Sequence, residues 1–286
     1  MTFRTRFAPS PTGPLHLGHA YSALLAYDAA RHHGGAFLLR IEDLDQSRVR
    51  PEWEQLIYQD LKWLGITWDE EPIKQSNRKD AYLSVLSGVS PAIPTFTCTC
   101  NRRDIQQAIG APHAEDMAFG PDGLIYPGTC RAHHYDPNSG DLDTLNLRLS
   151  LNQIQHENEL ISHSEYSDIS FSNQTLKSVT LTEFQDRIGE VVVWRKGYAA
   201  YHLASIIDDT HQGITHVIRG QDLREATHIH VLLQNLLGFP TPAYHHHGLI
   251  RDENGKRLAK RHDAKAIRKY REDGATPADI RRMVGL

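Results

Sequence analysis

Residues 3–8 alternate polar and apolar positions and run into Pro9-Ser10-Pro11-Thr12-Gly13-Pro14, a dense turn signal. From Leu15 to about His32 the pattern turns helical, with Leu17, Leu24, Leu25 and Ala29 recurring, and Gly34-Gly35 ends it. The apolar run 36–41, Ala-Phe-Leu-Leu-Arg-Ile, predicts a buried strand. Residues Pro51 to Leu64 predict a second helix, with proline at its start and Gly65 just past its end. Strand, helix, strand, helix is the alternation of a parallel α/β sheet.

The regularity breaks near residue 91. From there to about 190 the chain holds all three cysteines, many Pro, Gly and Asn residues, and polar stretches such as 152–175. Alternation resumes with a helical pattern at 199–209, a strand at 214–219, a helix at 222–237 and a strand near 244–250. The pattern predicts one α/β catalytic domain in two halves, 1–94 and 189–250, split by an insertion over 95–188. Residues 251–286 follow as a basic loop and two short helices, the second capped by Thr276-Pro277. No internal repeat interrupts this order.

Composition narrows the class. With 286 residues, 40% hydrophobic and 23% charged, the chain has the makeup of a globular protein with a real core. A net charge of −4 gives no global basic field, so a nucleic-acid partner would need a local patch. No run of about 18 apolar residues is present, so no membrane partner is expected. Met1-Thr2-Phe3-Arg4 has no signal-like apolar stretch behind it. Three cysteines, an odd count, argue against a disulfide framework and fit a reducing cytoplasm.

Three segments carry candidate chemistry. The string from Arg6 to His19 lies between the first strand and first helix, where ligands bind at the carboxyl ends of parallel strands. A helix N-terminus there suits phosphate, and His16 and His19, three apart, share a face near that end. Gly18 would let a flat ligand approach the backbone closely. Read alone, the two histidines also suit an ordinary surface turn. Lys256-Arg257-Leu258-Ala259-Lys260-Arg261 follows a strand and a Gly-containing turn, so its cations suit a triphosphate, although basic surface loops are common. Cys98-Thr99-Cys100 and Cys130 suit zinc or three unliganded buried thiols. A zinc ion would need a fourth donor, with Tyr126, His133 and His134 in range along the chain. His245-His246-His247 reads as a strand end near the crevice rather than a metal site.

Taken as whole strings, these segments resemble the class I aminoacyl-tRNA synthetases. Arg6 to His19 resembles their His-x-Gly-His signature in the form typical of glutamyl enzymes. Residues 256–261 resemble the Lys-Met-Ser-Lys-Ser signature, with Arg257 for its first Lys, Ala259 for its first Ser, Arg261 for its last residue, and Lys260 kept. Tyr201-His202-Leu203-Ala204 through Asp208-Asp209 to Ile218-Arg219-Gly220-Gln221-Asp222-Leu223 is a further match. Trp194-Arg195-Lys196-Gly197 departs from the family, being one residue shorter and lacking the usual Asp. The resemblance covers 4–50 and 190–265 well, the cysteine segment moderately and 135–185 poorly.

The resemblance implies a Rossmann-like fold, and an ATP site on His16, Gly18, His19 and Lys260 in which His16, His19 and Lys260 are catalytic. It implies a glutamate site on Arg6, Phe7, Ala8, Pro9, Ser10, Glu42, Tyr201 and Arg219. Arginine forks suit the two carboxylates of glutamate, and Glu42 suits its ammonium. It also implies Mg²⁺ with ATP and a structural Zn²⁺ on Cys98, Cys100, Tyr126 and Cys130. Full-length glutamyl enzymes continue into helical domains that read the anticodon, whereas this sequence stops soon after Lys260. That expectation directs the resemblance to the truncated glutamyl-Q tRNA(Asp) synthetase family, which esterifies glutamate onto queuosine in the anticodon of tRNA(Asp). ATP, L-glutamate and queuosine-bearing tRNA(Asp) are then the expected partners of a cytoplasmic monomer. Two alternatives stay open: a minimal ligase acting on another acceptor, and a non-catalytic glutamate- or ATP-binding paralogue.

Overall fold

Strand β1 (Arg4–Phe7) carries the first alternation, and Thr5, Arg6 and Phe7 are all buried. The computed structural model describes residues 2–86, 93–110, 118–136, 142–154, 160–251 and 265–286. Helix α1 (Leu17–His32) packs an alanine-rich face, including Ala20, Ala23 and Ala26, against the sheet at 0% exposure, so the helix sits close to it. Strand β2 (Ala36–Ile41) pairs parallel with β1, Arg6 opposite Leu38. Helix α2 (Pro51–Trp63) has Pro51 in its first turn, and Gly65 beyond its end adopts φ +78°, the left-handed conformation that glycine takes without a Cβ clash. Strand β3 (Ile73–Lys74) pairs parallel with β2, and helix α3 (Lys79–Ser84) follows.

The middle of the chain forms short elements: β4 (Thr95–Thr97), α4 (Arg102–Ile109), β5 (Phe119–Gly120), β6 (Gly123–Leu124) and β7 (Asn146–Leu149). Next come β8 (Ile161–Tyr166), β9 (Gln174–Val179), α5 (Leu181–Arg187), β10 (Val192–Arg195) and β11 (Tyr198–Ala199). Regular alternation then returns with α6 (Tyr201–His211), β12 (His216–Gly220), α7 (Thr227–Leu237) and β13 (Ala243–His247). Helices α8 (Ile267–Glu272) and α9 (Pro277–Val284) close the chain. Thr276 and Asp279 cap α9 reciprocally, as the Thr-Pro signal predicts. Ile280 of α9 is fully buried in the α1 core, and Arg281 binds both oxygens of Asp28 at 2.7 and 2.9 Å.

Parallel pairing bears out the α/β class. One sheet runs β1-β2-β3, and another runs β12-β13-β8-β9 with β12, β13 and β8 parallel. The two meet where the Thr215 N–H donates to the Arg4 carbonyl at 3.0 Å, which sets β12 beside β1. Strand order reverses at that junction, the position where open α/β sheets form a ligand crevice.

Sheet membership does not follow the expected boundaries at 95–188. Strands β8 and β9, expected inside the insertion, extend the catalytic sheet through β13, Tyr244 opposite Glu165. Strands β10 and β11, expected in the second catalytic half, join β7 and β4 in a separate antiparallel sheet. Backbone pairing explains both shifts, because each segment meets its partners far along the chain. Among the described residues no helix is long and apolar enough to cross a membrane.

Candidate functional site

The crevice between β1 and β12 opens into a cavity of about 350 Å³. Arg6, Phe7, Ala8, His16, Gly18, His19, Glu42, Tyr201 and Arg219 all line it, bringing together residues from four elements and their connections. Pro9 and Ser10, expected in the glutamate site, do not line it; the Pro9 carbonyl accepts from the Glu42 N–H at 3.0 Å and so fixes the turn to the end of β2. Lys260 and the rest of its basic motif, residues 256–261, lie outside the described residues. Ile250, shortly before the motif, lines the cavity, and Ala266, shortly after it, bridges to His16.

The two histidines meet by a different geometry from the shared helix face expected. His16 is the N-cap of α1, not a member of it, because its backbone is extended at φ −124°. Its Nδ1 accepts from the Gly18 N–H at 3.1 Å, while its own N–H donates to His19 Nδ1 at 3.2 Å. This reciprocal capping box brings the rings to 3.8 Å between centroids. Both Nδ1 atoms act as acceptors, so both rings carry a proton at Nε2. Two imidazoles at a helix N-terminus suit an anion. A Cβ on Gly18 would lie 3.0 Å from the His16 ring, so glycine here also makes room for the histidine itself.

Beneath them lies a buried charge network that pattern reading did not anticipate in full. Asp209 Oδ1 accepts from Arg6 Nε at 2.9 Å and from Arg40 Nη1 at 2.6 Å. Arg40 is fully buried and also donates to Glu42 at 3.1 Å. Burial works to raise the Asp209 carboxyl, but the Arg6 and Arg40 guanidiniums outweigh it and hold the group below its ordinary range. Burial dominates at Glu42, whose carboxyl is raised despite Arg40 and Arg6. Asp208, beside Asp209, accepts from Arg78 at 2.6 Å, Gln75 at 2.9 Å and the Tyr82 hydroxyl at 2.8 Å. Consecutive Asp208 and Asp209 near the end of α6 were the available signal.

Arg219 differs from Arg6. It is 6% exposed, and no carboxylate among the described residues lies within ion-pair distance of it. Its partners are the Thr227 hydroxyl at 2.7 Å, the Leu223 carbonyl at 3.3 Å, and His230 and His246 at 3.4 Å. The cavity lining thus holds two guanidiniums, from Arg6 and Arg219, with the carboxylate of Glu42 and, exposed at the rim, that of Asp222, while Arg40 and Asp209 pair behind it. A buried guanidinium such as that of Arg219, with no carboxylate partner among the described residues, suits an anion. His247 also lines the cavity, with Ser22 Oγ 2.6 Å from its Nε2, in keeping with a strand end at the crevice.

The cysteines form a separate site. Cys98, Cys100 and Cys130 place their sulfurs within 4.8 Å of one another, and no histidine joins that group among the described residues. Tyr126 Oη lies 3.5 Å from Cys98 Sγ and 3.6 Å from Cys100 Sγ, which singles it out over exposed His133 and His134 as a fourth donor. Tetrahedral zinc with Zn–S of 2.3 Å needs sulfurs roughly 3.8 Å apart, and Cys100 and Cys130 stand at 3.5 Å, so the donor set fits zinc. Arg148 donates to Cys98 Sγ at 3.3 Å and stacks 4.0 Å above the Tyr126 ring, a cation placed to offset thiolate charge.

Comparison with known proteins gives one family. A family model described as tRNA synthetases class I (E and Q), catalytic domain, matches residues 2–286. A Rhodobacter capsulatus protein named Glutamyl-Q tRNA(Asp) synthetase is 49% identical over 99% of both chains. A Deinococcus radiodurans protein of the same name is 39% identical over 98% of this chain and 87% of its own. A crystal structure of a glutamate tRNA ligase from Elizabethkingia meningosepticum, in complex with its amino acid, superimposes with a TM-score of 0.76 at 27% identity. All of this chain is covered there, and it spans 61% of that protein.

Proposed function

Because the chain belongs to the catalytic-domain family of class I glutamyl and glutaminyl tRNA synthetases, and is therefore a ligase, we propose that it activates L-glutamate with ATP and passes the glutamyl group to queuosine in the anticodon of tRNA(Asp). The carrying observation is the cavity lining, which holds the guanidiniums of Arg6 and Arg219 together with the carboxylate of Glu42. Glutamate bears one net negative charge, and its two carboxylates and one ammonium match that pattern of donors and acceptors.

In the first step the glutamate α-carboxylate attacks the α-phosphorus of ATP and pyrophosphate leaves. The Nε2–H groups of His16 and His19 donate to phosphate oxygens as charge develops there, and Lys260 is assigned to the leaving pyrophosphate. ATP enters as its Mg²⁺ complex, which lowers the phosphate charge. In the second step a queuosine hydroxyl attacks the adenylate carbonyl, and AMP leaves with the electron pair. Cys98, Cys100, Tyr126 and Cys130 would hold a zinc ion in a structural role, tying β4 to the loop before β7.

The acceptor half draws its support from relatives that bear the glutamyl-Q name and align over nearly their whole length. A Symbiobacterium thermophilum glutamate–tRNA ligase, 34% identical and covered over 58% of its length, supports the competing acceptor, a tRNA end. Glutamate-dependent ATP–pyrophosphate exchange without tRNA tests activation. Transfer of labelled glutamate to queuosine-bearing tRNA(Asp), and its loss after periodate oxidation of the cis-diol, tests the acceptor. Exchange without such transfer removes the queuosine reading and keeps activation.

A further inference from the structure

We infer that His230 is a positioning residue for Arg219, held in its working tautomer by His202; the inference rests on the glutamate-pocket reading above. A guanidinium has five N–H donors and no acceptor. In Arg219, Nε meets His246 Nε2, the two Nη2 hydrogens face Thr227 Oγ1 and the Leu223 carbonyl, and one Nη1 hydrogen meets His230 Nδ1 at 3.4 Å. One N–H remains, also on Nη1, for a ligand in the cavity that Arg219 lines. The guanidinium is planar, so His230, on the same nitrogen, helps His246, Thr227 and Leu223 to fix the direction of that last donor.

The tautomer follows link by link. Arg219 can only donate, so His230 Nδ1 presents a lone pair and its proton sits on Nε2. That Nε2 lies 3.1 Å from His202 Nδ1, which must then accept. The His202 proton moves to Nε2, 3.5 Å from the carboxylate of Asp122 between β5 and β6. The first two donors in the series face acceptors, and the third has a carboxylate oxygen nearby.

The choice of imidazole has a physical reason. His230 is 1% exposed, and burial, with Arg219 next in effect, pushes its basicity far below the ordinary histidine range. It therefore stays neutral. A carboxylate at this position would orient Arg219 equally well but would neutralise it and cancel its pull on an anionic substrate. A neutral acceptor fixes the guanidinium and leaves its charge for the ligand. His230 also packs against Tyr201, at 5.6 Å between ring centroids, so it supports two residues of the cavity wall.

The test is steady-state ATP–pyrophosphate exchange on the full chain, with KM for glutamate, KM for ATP and kcat measured separately. His230→Leu removes the acceptor and is expected to raise KM for glutamate about tenfold or more, the loss of one hydrogen bond to a charged group, with KM for ATP moving less than about twofold. His230→Gln keeps an acceptor within reach and is expected to restore most of the glutamate KM. His230→Asn, one methylene shorter, is expected to behave like the leucine variant. Equal glutamate KM values for wild type, Gln and Asn overturn the proposal even where the leucine variant fails to fold. Parallel increases in both KM values that Gln leaves uncorrected also overturn it. Wild-type protein without glutamate-dependent exchange removes the underlying activation reading instead.

Discussion

Asp209 holds Arg6 through a 2.9 Å bond between two side chains that are each less than a tenth exposed. The same oxygen holds Arg40, so one carboxylate anchors the ends of β1 and β2 to α6. Removing one partner of a buried ion pair leaves the other charge unpaired. Asp209→Asn is expected to lower stability by about 3–5 kcal/mol, seen as a lower urea midpoint, and to raise KM for glutamate. Unchanged values for both would mean that the network is not what orients Arg6.

Asp60 on α2 gives the opposite electrostatic case. It is fully buried, neither carboxylate oxygen has a hydrogen bond, and the nearest cation, Arg271 of α8, stands 3.8 Å away. Burial pushes its carboxyl up to about 6, against the pull of Arg271 and Arg268. Between about pH 4 and 6 the folded state keeps a proton that an unfolded carboxyl has lost. Stability from this group therefore falls as pH rises through that window, by about 3 kcal/mol at most. Asp60→Asn is expected to raise Tm relative to wild type at pH 7.5 and to show a much smaller gap at pH 4.5. A gap independent of pH counts against this assignment.

His19 serves the α1 cap and the cavity together. His19→Ala is expected to cut kcat for exchange by about 10²–10³-fold, the usual loss for one donor at a developing charge. A smaller loss, about 1 kcal/mol of stability, should accompany it through the broken cap. Calorimetry and exchange kinetics separate the two effects. A variant that loses stability alone would make His19 a capping residue and no more.

For the cysteine site, elemental analysis should find one zinc per chain. Cys100→Ser is expected to abolish retention and to speed amide exchange across β4 and β7, whereas Tyr126→Phe should retain metal more weakly than wild type. Full metal retention by Tyr126→Phe would hand the fourth position to another donor.

Much of the catalytic sheet was legible because its signals are local. The turn before α1, Pro51 opening α2, and the apolar strand 36–41 each announce themselves within a few residues. Strands β8 and β9 did not, for a physical reason. Strand β8 alternates buried Ile161, His163 and Glu165 with half-buried positions, and five of the six residues of β9 are exposed. A strand whose inward residues are histidine and glutamate carries no hydrophobic period to read. The cavity residues came from whole-string resemblance, since single arginines and tyrosines carry little information. His230 was invisible because its meaning lies in one hydrogen bond to a residue eleven positions away.

The pairing of β8 with β13 also orders events in time. Glu165 waits for Tyr244, about 80 residues later in synthesis, so at ribosomal rates the β8 edge stands without its parallel neighbour for roughly 4–16 s. During that interval only β9 covers β8, and its other edge can recruit a strand from another chain. The nascent protein is thus most exposed to misassembly just before the chain reaches residues 243–247, and a chaperone or slowed translation at that point would protect it most.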